Sequence, residues 1–485
     1  MDLFLDRLRS AISRDPEAVA FLGRGGGLRY RDVRSLVGSA MRLLDAQGVR
    51  PGRVVGLNMP QSPLHLVAFF ALARLGAITL PLPWNEPDEE RAHIAKAFGA
   101  SLVVSGRADG GAPGLPLVLL DTLSARGDED GLDAWPFVPR PETPVRIALT
   151  SGTVGERKGL DHTHGYFSAR IARGGYVAAA APRVMPSRLH VNAALQAALH
   201  ALCSNGAVVF PARYDTPGLL EAATRFAVTH LMMPPVHAAN LAAMIANDTP
   251  ALPLLVQLRL VGGTASPSVI AAIQRRITRN VYGSYSTTET GNLALSTPET
   301  FAAFPGAAGR VRPDVTLEVV DEGGNPVAPG VTGEIRVRVA GMPSGYHGAV
   351  HAERFRGGWF HPNDRGRVTA EGIVYVEGRV DDIINVGGRK VSPSYVERIL
   401  EEHPHVAEAA VFALADPGGN VRTVAAIVAR GAIDWASLAR HAQERLDVLA
   451  PWHYHEASSL PRNTMGKLVR KEIPALAEGP LRHPR

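Results

Sequence analysis

The 485-residue sequence predicts an α/β fold in two parts. A large N-terminal domain, 1–380, would hold parallel-rich sheets layered with helices and a β-rich subdomain. A small α+β domain, 381–485, would follow. Three observations carry this. The length exceeds what one hydrophobic core normally serves. Helix-period and strand-period stretches alternate up to about residue 287, the signature of βαβ layering. The texture then changes to short glycine-rich strands and, past the charged turn Arg379 to Asp382, to a compact tail with its own pattern.

In order, "LRYRDVRSLVGSAMRLLDAQGV" has apolar residues at helical spacing and stops at Gly48. "RVVGLNM" reads as a strand, "PLHLVAFFALARLG" as a buried helix stopped by Gly76, and "AITLPL" as a strand. "DEERAHIAKAFG" with "SLVVS" repeats the pair. The second block runs through strand "NGAVVF", helix "PGLLEAATRFA", strand "HLMMPP", helix "VHAANLAAMIA", strand "LRLVGG", helix "PSVIAAIQRRI" and strand "RNVYGSY". "VTLEVVDEGGNPV", "GEIRVRV" and "IVYVEGR" are the short strands that follow. The tail reads helix "YVERILEEHPHV", strands "EAAVFAL" and "VRTVAAIVAR", helix "WASLARHAQERL", then strand or loop "WHYHEASSL".

Composition narrows the function. With 51 Lys plus Arg against 46 Asp plus Glu and no long basic block, the chain offers no nucleic-acid footprint, and a small anionic partner suits the balance better. The single cysteine, Cys203, lies in an apolar run, so it reads as a buried structural thiol in a reducing compartment. The N-terminus lacks a signal-peptide core and no apolar run spans a bilayer, so the expected location is cytoplasmic, with no membrane span.

Four stretches carry chemistry. "TSGTVGERKG", 150–159, follows the apolar run "VRIAL". It is not a Walker loop, because Arg157 and not glycine precedes Lys158. "GRGGGL" at 23–28 likewise fails the dinucleotide pattern. What remains in the first stretch is glycines for close backbone approach, hydroxyls as donors and a lysine charge, the ingredients of an anion cradle. "VYGSYSTTETG", 281–291, clusters tyrosine faces, hydroxyls and one acid. "GGWFHPNDRGRV" and "YVEGRVDDIINVGGRKVSP" bring Asp364 and Arg379, an acid and a base suited to sugar hydroxyls. "LPRNTMGKLVRKEI" places Lys467 after a glycine on a polar loop. Taken singly, each could be a polar turn, a salt bridge or a solvated lysine.

Together, and in this order, they resemble the core motifs of the adenylate-forming superfamily, which includes acyl- and aryl-CoA synthetases, peptide-synthetase adenylation domains and firefly luciferase. "LTSGTVGERKG" is similar to the T-S-G-T-T-G-x-P-K-G phosphate loop, "YSTTE" to Y-G-x-T-E, and "GWFHPNDRG" to G-W-x-x-T-G-D. "GRVDDIINVGGRKVSP" resembles the G-R-x-D-D hinge segment and "LPRNTMGKLVR" the L-P-x-x-x-x-G-K segment, so the resemblance spans nearly the whole chain.

The resemblance implies ATP-dependent activation of a small carboxylic acid to an acyl-adenylate, then transfer to the thiol of CoA or to the phosphopantetheine of an acyl carrier protein. By it, Thr150, Ser151, Gly152, Thr153, Gly155 and Lys158 would cradle the β- and γ-phosphates. Thr288 would bond the α-phosphate, and Glu289 would coordinate Mg²⁺. Tyr285 would stack on adenine, Asp364 would hold the ribose with Arg379 nearby, and Lys467 would reach in from the small domain during adenylation. Asp381 would be the hinge of a mobile lid, and Gly387 and Gly388 would let a pantetheine arm pass the backbone.

The departures are Val154 and Arg157 in the phosphate loop, Ser286 after the tyrosine, and Pro362-Asn363 before Asp364. Each spares the principal charged or donor residue, which implies activity. The segment matching the amino-acid pocket has no aspartate, so an ammonium group would go unpaired. A non-amino acid is expected, with His190 where coumarate-type ligases have a histidine. Gly262, Gly263, Thr264 and Gly283 are small enough to leave room for a flat ring, which points to an aryl or arylacrylic acid. Asp161, His162 and His164 have metal-type side chains, but the family carries a similar histidine segment after its loop.

Overall fold

The computed structural model describes residues 3–84, 86–121, 137–150, 157–246, 249–263, 265–349, 352–386, 389–415, 421–462 and 468–478. Among these, one sheet has fifteen strands and a second has six. The six-stranded sheet places Val54–Asn58, Ile78–Pro81, Leu102–Ser105, Leu117–Leu119 and Pro144–Thr150 in parallel, and Lys158–Thr163 closes it antiparallel. Of these, Val54–Asn58 and Leu102–Ser105 are buried on both faces, as continuous apolar runs require.

The helices between the sheets explain their own burial. Pro63–Arg74 starts on a proline, whose missing N–H costs nothing there, and is apolar all round, so nine of its residues are buried. Its Phe69 ring stacks on Phe4 at 5.9 Å, and each such buried ring contributes roughly 1.5–3 kcal/mol. One core cluster joins Val55 and Leu57 of the smaller sheet to Phe21, Val184 and Val208 of the larger. The two sheets therefore sandwich this helical layer. A second cluster packs Thr216–Arg225, Pro235–Met244 and Pro267–Arg276 on the outer face of the larger sheet.

The glycine-rich strands are not detached from that sheet. Val281–Thr287 pairs with Gly291–Ser296, which pairs in turn with Gly309–Val311, Ile373–Arg379 and Asp364–Val368 along one ladder. Gly309 sits at φ 133°, and a Cβ there would lie 2.4 Å from the Leu295 backbone, so the close strand approach needs glycine. The C-terminal part has its own core under a sheet of Val406–Ala415, Val421–Ala429 and His453–Glu456. Cys203 is held as a structural thiol, its Sγ donating to the Phe4 carbonyl at 3.4 Å and its pKa pushed up to about 12 by burial. No helix among the described residues is long and apolar enough to cross a membrane.

Two histidines in this core make stability pH-dependent. His65 is 2% exposed and His164 is fully buried against Phe4. Burial pulls their pKa values down to about 3 and about 4. The unfolded chain therefore binds protons that the folded chain refuses. Their contribution is complete above about pH 6.5 and is lost as pH falls, at about 1.4 kcal/mol per pH unit for each. Denaturant titrations from pH 7 to pH 4 should show stability falling steeply, and less steeply in His164→Asn. A flat wild-type profile would contradict this.

Candidate active site

Thr150 and the Thr288–Glu289 turn lie at the carboxyl ends of the parallel-paired strands Pro144–Thr150 and Val281–Thr287, where open α/β sheets place their ligands. Pro144–Thr150 delivers Thr150, and the antiparallel register sets Lys158 directly opposite it, so the two ends of the phosphate-loop stretch are side by side. Ser151, Gly152, Thr153, Val154 and Gly155 lie outside the described residues, as do Thr264, Gly387, Gly388 and Lys467. Arg157, which stands in place of proline, reaches Glu86 at 2.7 Å and Glu90 at 3.0 Å. It thereby ties the end of the loop stretch to the helix Asp88–Ala97.

Val281–Thr287 ends in a turn closed by the Thr290 N–H on Thr287 Oγ1 at 3.1 Å. The Thr288 carbonyl accepts from the Tyr166 hydroxyl at 3.1 Å, and Arg170 donates to that same hydroxyl. Glu289 is 8% exposed, and its Oε1 accepts the Tyr346 hydroxyl at 2.6 Å. Lys158 Nζ sits 5.4 Å from the centre of the same Tyr346 ring, so lysine, tyrosine and glutamate form one unit. Burial, with Arg354 nearby, pulls the Lys158 ammonium below its usual range, while Glu353 and Glu289 hold it up. Among the described residues no group of three acidic, histidine or cysteine side chains forms a metal cage. One buried carboxylate beside a lysine instead fits a magnesium ion ligated mainly by phosphate oxygens.

At the other end Asp364 faces Arg379 across paired strands, with Oδ1 3.9 Å from Nη1. The Tyr285 hydroxyl donates to Asp364 Oδ2 at 2.6 Å, and burial beside that carboxylate holds the phenol well above its usual range. Asn363 explains one departure. Its φ is 67°, a left-handed conformation that asparagine tolerates better than most side chains, so it can replace glycine there.

Thr150, Lys158, Thr288, Glu289, Tyr285, Tyr346, Asp364 and Arg379 line one cleft of about 2010 Å³, together with His190, Gly262, Gly263 and Gly283. Burial, then Arg188 and Arg146, pull the His190 pKa down to about 3, so its ring is neutral. Gly283 does not leave the free space its size suggests. A Cβ there would meet the Phe301 ring at 2.9 Å, so that phenylalanine already fills the position. Gly263, whose nearest neighbour to a built Cβ is Pro235 at 3.7 Å, is the open one, and Gly262 sits at φ 83°, a conformation that favours glycine. Asp161, His162 and His164 do not converge. Asp161 turns out to His347 at 3.0 Å, while the two histidine rings stack inward on Tyr166 and Phe4.

The cleft's other wall belongs to the small domain, with Asp382, Glu397, Leu468 and Arg470. Asp381 is 65% exposed and its Oδ2 lies 3.2 Å from Arg354 Nη2 of the large part. Arg470 binds Asp382 at 3.1 Å, both Glu397 oxygens at 2.7 and 2.9 Å, and Ser394 at 2.9 Å. Sequence reasoning missed Tyr346, Tyr166, Arg354 and Arg470, which lie outside any motif core. It also missed Arg146, whose visible signal was a charge inside the apolar strand "VRIAL".

A family model for AMP-binding enzymes matches residues 8–347, and one for the AMP-binding enzyme C-terminal domain matches 395–467. The chain belongs to the AMP-binding enzyme family. It is an AMP-forming acid–thiol ligase that uses ATP and works through an acyl-adenylate. Similar proteins include an indoleacetate–CoA ligase of Aromatoleum aromaticum, 28% identical over 92% of each chain. A fatty acid–[acyl-carrier-protein] ligase, ScoC, of Streptomyces coeruleorubidus is 27% identical over 95% of this chain and 93% of its own. Among solved structures, the amide bond synthetase McbA from Marinactinospora thermotolerans superposes with a TM-score of 0.85 at 26% identity, covering 98% of this chain and all of that one.

Proposed function

We propose that this ligase activates an aromatic, non-amino carboxylic acid and passes its acyl group to the thiol of CoA. The supporting observation is the single cleft that holds Thr150 and Lys158, the Thr288–Glu289 turn and the Tyr285–Asp364–Arg379 group together. In this reading Asp364 and Arg379 hold the ribose, Tyr285 presents its ring to adenine, and Lys158 with the loop at 150–155 binds the outer phosphates. Thr288 bonds the α-phosphate, and Glu289, steadied by Tyr346, would hold magnesium, which supplies charge neutralisation at the phosphates.

The substrate carboxylate oxygen attacks the α-phosphorus while the bond to the β-phosphate breaks and pyrophosphate leaves. The thiol sulfur then attacks the acyl carbon, the bond to AMP breaks, and the thiol proton is released. The protein's task is to gather cations and donors where an anion meets a polyanion, and Lys467 supplies the last of them. Residues 381–485 form the mobile lid, pivoting at Asp381, with Gly387 and Gly388 beside the thiol. The neutral His190 with Gly262 and the open Gly263 form the acid pocket, and the segment "SRLHVNAALQAALHAL" brings no aspartate to hold an ammonium group.

The test is acid-dependent ATP–pyrophosphate exchange over benzoates, cinnamates, fatty acids and amino acids, followed by addition of CoA or a holo carrier protein. Exchange with aryl acids and thioester formation with CoA are expected. Thioester formation on the carrier protein alone would move the acceptor to the role that the ScoC name describes for that relative.

A further inference from the structure

The turn 187–192 is more elaborately built than a wall for a neutral ring requires. Its Arg188 carbonyl accepts the Val191 N–H at 2.8 Å. On one side Gln61 grips it twice, its Oε1 accepting the Leu189 N–H at 2.7 Å and its Nε2 donating to the Ser187 carbonyl. On the other side Arg146, fully buried, donates to the His190 carbonyl at 2.6 Å and to Asn192 Oδ1 at 3.0 Å. Held this way, the turn presents Arg188 and His190 to the cleft.

Its charge is unbalanced. Arg157 is neutralised by Glu86 and Glu90. No carboxylate among the described residues pairs with Arg146, whose contacts are neutral oxygens, and the Arg188 guanidinium has no hydrogen-bond or ion-pair partner among them. Arg146 is fully buried behind the turn, so the unpaired charge that lines the cleft beside the neutral His190 is Arg188. A half-buried guanidinium without a counter-ion is poorly solvated and is matched by a planar, bidentate anion. Arg188 acts electrostatically on His190, as Arg157 also does, and on His237 at the start of Pro235–Met244.

We propose that Arg188 binds a second carboxylate on the acid substrate, remote from the carboxylate that is adenylated, so that the preferred substrates are dicarboxylic acids. This rests on the adenylation reading above and specifies its acid pocket. Adenylation neutralises the reacting carboxylate, so only a second anion keeps Arg188 paired through both half-reactions.

The experiment measures ATP–pyrophosphate exchange by the full chain without thiol, comparing terephthalate with benzoate, 4-carboxycinnamate with cinnamate, and glutarate with pentanoate. For at least one pair the diacid should lead by tenfold or more in kcat/KM. Arg188→Gln should lower that ratio at least tenfold, mainly through KM, and Arg188→Lys should retain part of it. Wild-type ratios of one or below for every pair would overturn the proposal. So would equal losses on both acids of a pair in Arg188→Gln, or a defect confined to the KM for CoA, which would assign the arginine to the acceptor's phosphates. Exchange that is present but indifferent to the second anion overturns this inference alone, whereas no exchange with any acid overturns the adenylation reading with it.

Discussion

Lys467→Ala should lower acid-dependent ATP–pyrophosphate exchange by about 10²–10³-fold, the usual cost of losing one oriented donor at a developing charge. The reason lies in the chemistry. A carboxylate must approach the α-phosphate of a polyanion, and the motif cations Lys158 and Arg379 each have another neighbour to serve. Lys158 leans over Tyr346 beside Glu289, and Arg379 faces Asp364. In the proposed reading the lysine-bearing loop supplies the rest. Arg462 and Leu468 bracket it as a β-bridge, and Leu468, the next residue after Lys467, lines the cleft. Thioester formation from a supplied acyl-adenylate should change less than threefold, because that step does not need the α-phosphate clamped. A variant that exchanges like the parent would remove Lys467 from the reaction.

Asp381→Pro should do the reverse. Exchange should stay within about threefold of the parent, while thioester formation falls by at least about 50-fold, because a proline ring restricts φ at the pivot. The observed conformation explains the asymmetry. Asp381 is mostly exposed and joined to the large domain by one ion pair to Arg354, of the surface kind worth about 0–1 kcal/mol. Its loss therefore leaves this arrangement nearly intact and penalises departure from it. Single-turnover measurements of the two half-reactions decide the matter, and equal losses in both would sink the pivot.

Much of this was legible in the sequence because the signals were local. The βα alternation, the parallel strands and the helix "PLHLVAFFALAR" follow from apolar spacing alone. Asp364 and Arg379, fifteen residues apart, meet because a short antiparallel pair joins them. Other features depended on long-range register. Nothing near Tyr346 in the chain reveals that its hydroxyl will steady Glu289, 57 positions earlier. Gly283 read as spare room because Phe301, eighteen residues later, is what occupies it. The glycine-rich strands read as a subdomain of their own, because the ladder that joins them to the parallel sheet runs through backbone pairing, which side-chain patterns do not encode. Arg146 was visible as a charge in an apolar strand, but its partners, the His190 carbonyl and Asn192, are set by a turn more than forty residues away.

Val281–Thr287 and Asp364–Val368 stand four rungs apart in the same sheet. Laid flat, four rungs would separate them by about 19 Å. Yet the Tyr285 hydroxyl touches Asp364 at 2.6 Å. The sheet must roll over on itself between them like the side of a barrel, and that phenol–carboxylate bond is the tie-rod across the opening. The spacing between Tyr285 and Asp364 is then a property of backbone curvature shared over five strands.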